Sequence, residues 1–141
     1  MGIDLGERRI GIAVSDATGT LASPAGVLHR GPRRSDDHAS LAATAAELGA
    51  EVVVVGLPLS LSGQTGPAAR RVLEEVEELR QVLTVPVHVQ DERLSTVTAD
   101  RALRGQSRGA KGTASARRRS GRIDQAAAAV LLQAWLDGRR P

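Results

Sequence analysis

Four consecutive valines, Val52–Val55, sit inside the segment EVVVVGLP. A continuous β-branched run of this kind has no polar side, so the strand it forms is buried on both faces. The rest of the chain must therefore supply cover above and below it. Pro58 ends the run, because proline offers no ladder donor. Residues 68–83 follow as an amphipathic helix, with Pro67 near its first turn, where the missing N–H is harmless. Val72, Val76, Leu79 and Leu83 form its apolar stripe, and the glutamates of EEVEE are expected to face outward.

The other elements are read in the same way. MGIDL is a strand, and IGIAVSD is a second strand after one tight turn. TLASPAGVLHR is a third, bent at Pro24. Their closeness in sequence predicts an antiparallel meander. Ser35 or Asp36 is expected to cap a helix over 38–49 that stops at Gly49. VPVHVQDE is a fifth strand. A short helix is expected over 95–104, capped by Ser95 or Thr96, and then a mobile, almost apolar-free basic loop over 105–121. A closing helix starts at Arg122, with Ile123, Ala127, Val130 and Ala134 as its stripe. Strands separated by helices run parallel through right-handed crossovers. The expected fold is an α/β single domain over 1–141: a mixed five-stranded sheet, three antiparallel strands then parallel ones, with helices on both faces.

Composition narrows the function. The chain has 141 residues and no cysteine, which removes disulfides and thiolate chemistry. No apolar run reaches the roughly 18 residues that span a bilayer, and no signal pattern opens the chain, so a cytoplasmic protein without a membrane partner is expected. Residues 1–100 carry nine Arg against fourteen Asp and Glu, whereas residues 101–141 carry nine Arg and one Lys against two Asp. The net charges are −5 and +8, and a basic last third suits an anionic partner. With one Trp and neither Phe nor Tyr, base stacking on rings is not the mode of recognition. Backbone and shape are what such a chain can read.

Three carboxylates stand at junctions. Asp4 lies within an apolar strand, where an uncompensated charge costs several kcal/mol. Glu92 follows the fifth strand, and Asp124 lies in the first turn of the expected last helix. With the first strand central, the three converge at one edge of the sheet, and their repulsion calls for a cation. Oxygen ligands suit Mg²⁺ or Mn²⁺, one or two ions, rather than zinc. Blander readings are an Asp4 pair with Arg8 or Arg9, an Asp91 or Glu92 pair with Arg93, and a plain helix-start acid at Asp124. The loop GLPLSLSGQTG, with Ser62, Gly63 and Thr65, can hold a phosphate on backbone N–H groups but lacks P-loop spacing. Lys111, Arg117, Arg118, Arg119 and Arg122 are the expected grips on a nucleic-acid backbone. The histidines at 29, 38 and 88 read as structural or surface residues.

GIDLGERRIGIAVSD, VVVVGLPLSLSGQTGPAA, DERLST and RIDQAAAAVLL resemble, in order and spacing, the YqgF/RuvX family over nearly the whole chain. That resemblance implies a ribonuclease H-like fold. It implies a nuclease, described in the family as a candidate Holliday junction resolvase or a candidate nuclease for the 5′ end of pre-16S rRNA. It places Asp4, Glu92 and Asp124 at the family's metal-binding catalytic positions. Two departures stand out. Arg122 stands where the family often has a Lys just before the final Ile/Val-Asp pair, so a phosphate role survives but proton transfer does not. The first strand also looks clipped, with three residues before Asp4. The expected partner is structured RNA or branched DNA, and the expected state a monomer or weak homodimer. Two other classes fit less well: an actin-like or sugar-kinase-like ATPase, which needs two lobes, and a non-catalytic RNA-binding ribosome-assembly or transcription-associated factor.

Overall fold

The computed structural model describes residues 1–93 and 114–139, with residues 114–118 by backbone alone. The sheet has five strands: β1 (Gly2–Leu5), β2 (Arg9–Ser15), β3 (Ala22–His29), β4 (Val53–Leu57) and β5 (Val87–Asp91). The helices are α1 (Arg34–Glu47), α2 (Pro67–Val82) and α3 (Ala114–Gly138). Strand order is β3-β2-β1-β4-β5, so β1 is central. β1–β2 and β2–β3 are antiparallel, while β1–β4 and β4–β5 are parallel. The mixed sheet is thus the one expected.

Alternation along each strand divides the core in two. Ile3, Ile10, Ile12, Val53, Val55 and Val87 point toward α1 and α2, where they meet Leu41, Val72, Val76 and Leu79. Ala13 and Val54 point the other way, into Ala128, Leu131, Leu132 and Leu136 of α3. The valine run is buried on both faces because successive valines serve the two layers. Pro24 is accommodated on the edge strand β3, where the ladder slips: Ile12 pairs with Gly26 and Ala13 with Pro24, leaving Ala25 as a bulge.

Four sequence readings are corrected. α1 begins at Arg34, and its N-cap is Arg33, without a side-chain cap bond. Asp37 instead accepts from the Gly31 amide, 2.9 Å. Glu75 does not face out. It is buried, where Arg30 donates to it from Nη1 at 2.8 Å and Nη2 at 2.9 Å, and His38 Nε2 donates at 2.8 Å. α3 starts at Ala114, so residues 114–121 of the expected loop are helical; Ala and Arg are both good helix formers. The α3 stripe is also rotated. Ala127, Ala128, Leu131, Leu132 and Leu136 are buried, while Val130 is 36% exposed. A run as uniformly apolar as AAAAVLL does not reveal its inward face by periodicity. The helix expected over 95–104, with its caps, lies outside the described residues, as do residues 105–113 of the loop. Among the described residues no helix is long and apolar enough to cross a membrane.

Candidate active site

α3 lies against the sheet because glycines line its path. Gly2 on β1, Gly11 on β2 and Gly56 on β4 all face it. A Cβ on Gly2 would stand 2.8 Å from Leu132 Cβ and 2.9 Å from the Ala128 carbonyl oxygen. A Cβ on Gly11 would collide with the carbonyl oxygen of Asp124. The missing side chains let a helix backbone rest on a strand backbone, which no larger residue permits.

That close approach places the acids. Asp4 is buried, 2% exposed, and pairs in register with Gly11. The Asp124 backbone packs on Gly11 and so lies beside Asp4. The β1–β4 ladder runs through Ile3 and Val55; one residue further along each strand come Asp4 and Gly56. The Glu92 carboxylate lies over Gly56, so near that a Cβ there would collide with it. The Glu92 amide donates to the Leu57 carbonyl, 3.2 Å, which fixes the turn out of β5. All three predicted carboxylates therefore sit at one end of the central strands on the α3 face.

Their environments differ. Burial, and secondarily the negative charge of Asp91, pushes the Glu92 carboxyl up to about 7. Asp124 is held by Arg9, whose Nε donates to Oδ2 at 2.9 Å, with both side chains about a quarter exposed. Asp91 is an ion-pair partner of Arg93. The Arg93 amide reaches Oδ1 at 2.9 Å, and Nε and Nη2 reach Oδ2 at 2.8 and 2.6 Å. Those hydrogen bonds hold the Asp91 carboxyl below its usual range. Of the blander readings, the Asp91–Arg93 pair is present, and Arg9 is an ion-pair partner of Asp124.

The donor set is all carboxylate oxygen, which fits a hard divalent cation. The set is not closed: among the described residues no group of three or more His, Cys, Asp or Glu is gathered closely enough to hold a metal. Asp124 turns to Arg9 instead.

The remaining predicted residues are placed more loosely. Ser62, Gly63 and Thr65 are exposed on the 58–66 loop. That loop is ordered by its own bonds: the Gly63 amide donates to Ser60 O at 2.8 Å and the Gln64 amide to Ser60 Oγ at 3.1 Å. Arg119 and Arg122 are exposed on α3. Arg117 and Arg118 lie in its first turns, described by backbone alone, and Lys111 lies outside the described residues. Sequence reading missed the partner of Asp124 and the role of Gly11 and Gly56. A signal existed: Gly2, Asp4, Gly11 and Ala13 share one face by simple alternation across a hairpin.

Comparison with known proteins agrees with the fold. A family model described as "RuvX: Holliday junction resolvase" matches residues 1–138. A protein of Mycobacterium sp. (strain KMS) named "Putative pre-16S rRNA nuclease" is 46% identical over 142 residues, covering 99% of this chain and 80% of the relative. One of the same name from Anaeromyxobacter sp. (strain Fw109-5) is 45% identical over 139 residues, covering 99% and 96%. Among solved structures, Thermus thermophilus RuvC in complex with a Holliday junction substrate aligns with a TM-score of 0.56 at 19% identity, over 98% of this chain and 92% of that one. At that identity the likeness is one of fold, and the fold is RuvC-like. Taken with the family match and relatives at close to half identity, it means the chain belongs to the RuvX (YqgF) family of nucleases.

Proposed function

We propose that this protein is a divalent-metal-dependent nuclease of the cytoplasm that hydrolyses phosphodiester bonds, with the 5′ end of pre-16S rRNA as its favoured substrate. The observation that supports the reading is that Asp4, Glu92 and Asp124, from segments far apart in sequence, lie toward the same end and face of the central strands. Asp4, Glu92 and Asp124 would hold one or two Mg²⁺ or Mn²⁺ ions. Bound there, such a cation supplies Lewis acidity, lowering the pKa of water and relieving negative charge at phosphorus.

The chain's own residues do the rest. Asp4 is fixed by the central strand and by burial, so its position is preorganised. Glu92 reaches over Gly56 from the neighbouring side. Asp124 must give up its ion pair with Arg9 to join them. Lys111, Arg117, Arg118, Arg119 and Arg122 grip the flanking backbone, and Ser62 and Thr65 offer hydroxyl donors from the 58–66 loop, which turns at Gly63. End processing needs one site and is open to a monomer. Symmetric resolution of a four-way junction needs two sites, hence a dimer.

One observation favours a second reading, a non-catalytic RNA-binding factor: the Arg9–Asp124 pair keeps the acidic group open. A single cleavage panel separates these readings. Wild-type protein and Asp4→Asn are given, in Mg²⁺ or Mn²⁺, a synthetic four-way DNA junction and an RNA carrying the unprocessed 5′ end. Metal-dependent cuts in the RNA, reduced at least about a hundredfold by Asp4→Asn, are expected. Paired nicks in the junction alone would make the protein a resolvase. Tight binding without cleavage of either would establish the binding factor, and cleavage that survives Asp4→Asn in clean protein would overturn the site.

A further inference from the structure

Glu92 and Arg93 leave the end of β5 in different directions. Glu92 lies over Gly56, on the α3 side, with the other acids. Arg93 reaches instead to the 58–66 loop, where its Nη1 would stand 2.9 Å from a Cβ on Gly63. Gly63 has φ +82°, a conformation that glycine adopts freely, and its bare Cα leaves room for the guanidinium tip.

The cation is also held rigidly. Asp91 receives Nε and Nη2 on one oxygen and the Arg93 amide on the other. This ties the first and last parts of the side chain to one carboxylate two residues back. Nη1 is left pointing along the loop, and the side chain keeps 33% of its surface exposed. A guanidinium that has already lost its rotamer freedom, with one edge open to solvent, is prepared to bind an anion with little further ordering cost. The loop beside it carries the Ser60 and Ser62 hydroxyls, bonded to each other at 2.9 Å. No carboxylate lies in residues 52–73, so the loop and the α2 start bring no negative charge to compete.

We infer that Arg93 binds a backbone phosphate of the nucleic acid next to the one being cut, against the 58–66 loop, and that Asp91 is the positioning residue that aims it. The inference rests on the nuclease reading for the location of the cut phosphate, but its binding arm does not. The chemistry recognised is a phosphodiester, and Arg suits it because its planar fork can serve Asp91 and a phosphate oxygen at once. Lysine has no second edge for this.

The test measures binding apart from cleavage. Fluorescein-labelled four-way DNA junction and labelled RNA with the unprocessed 5′ end are titrated, in chelator, with wild type, Arg93→Gln, Arg93→Lys and Asp91→Asn across a salt series. Arg93→Gln should weaken binding about tenfold and make the slope of log K against log salt shallower by about one. Arg93→Lys should restore the slope but only part of the affinity. Asp91→Asn, which removes a negative charge, should nevertheless weaken binding, an outcome that net charge alone would reverse. In turnover, the loss should fall on KM with kcat nearly kept. Wild-type affinity and slope in both Arg93 variants would overturn the inference, as would Asp91→Asn binding more tightly than wild type. A thermal melt of each variant shows that it is folded, and Arg93→Lys keeps the test decisive if Arg93→Gln is not. A wild type that binds but does not cut refutes the nuclease reading and leaves the Arg93 result to be read on its own.

Discussion

Gly11 and Gly56 face the same helix, but a methyl group would meet different things at the two. At Gly11 it strikes the Asp124 carbonyl, which is backbone and cannot step aside without moving α3. At Gly56 it strikes the tip of Glu92 and Leu131 Cδ2, both ends of flexible side chains. Gly11→Ala should therefore cost about 2 kcal/mol or more in urea unfolding, at the upper part of the range for overpacking. Gly56→Ala should cost less stability yet displace the Glu92 carboxylate, and so lose more cleavage than folding. Equal losses of both kinds in the two variants would refute the distinction. The sequence made the acids themselves legible, because a carboxylate in an apolar strand is costly enough to require a reason. It did not reveal Arg9 as the partner of Asp124, since a contact between residues 115 apart has no local trace.

α1 and α2 are joined by charge as well as by packing. Arg30 donates to both oxygens of Glu75 and, through Nε, to the Gly6 carbonyl at 2.7 Å, while His38 completes the set. Arg34 bonds Glu78 nearer the surface. Burial alone would raise the Glu75 carboxyl, but the bonds from Arg30 and His38 outweigh it and hold it below its usual value of 4.5. A carboxyl depressed on folding adds stability that is complete above that value and is lost as pH falls through it toward the folded pKa. Unfolding free energy of wild type should thus drop below about pH 4.5 more steeply than that of Glu75→Gln. Glu75→Ala, which leaves the Arg30 guanidinium with only Asp37, 3.7 Å away, as a carboxylate partner, should cost about 3 kcal/mol at pH 7. A wild-type acid limb no steeper than that of Glu75→Gln would show that the pair adds no linkage. Here the sequence misled for a definite reason. EEVEE at helical spacing looks like a solvated face, and only the third dimension brings Arg30 of the β3 end beneath it. By contrast the α2 stripe, Val72 to Leu83, was legible in full, since a mixed apolar and charged helix declares its inward face. α3 did not, because its buried half is alanine and leucine on nearly every side.

For the whole molecule the dominant property is charge separation along the chain, −5 over the first hundred residues and +8 over the rest. An acidic body repels a phosphate backbone, so on the nuclease reading proposed above the basic third would both recruit the nucleic acid and offset the body. Replacing Arg117, Arg118 and Arg119 by Gln should weaken binding to either labelled probe and flatten the salt slope by about two to three, on roughly 0.9 per phosphate contact. An unchanged slope would remove those residues from the interface. Strand order was legible up to the centrality of β1, since parallel crossovers and a leading meander leave few arrangements. The fit of α3 onto a glycine floor was not, because glycine in a strand reads as a weakness until its neighbour is known.

The pairing of the first strands with the last helix also sets an order in time. Arg9 meets Asp124 across 115 positions, and the Ala22 amide meets Gln133 across 111. Contacts of such separation form late, after the loop-closure cost has been met. In a chain still being synthesised, the α3 side of the sheet stays bare, with Ala13 and Val54 uncovered, until the helix has emerged. Most of the basic stretch leaves the ribosome before Asp124 does, so the growing chain gains positive charge before it has its full set of acids. Gathering of the three acids and completion of the core are then one event.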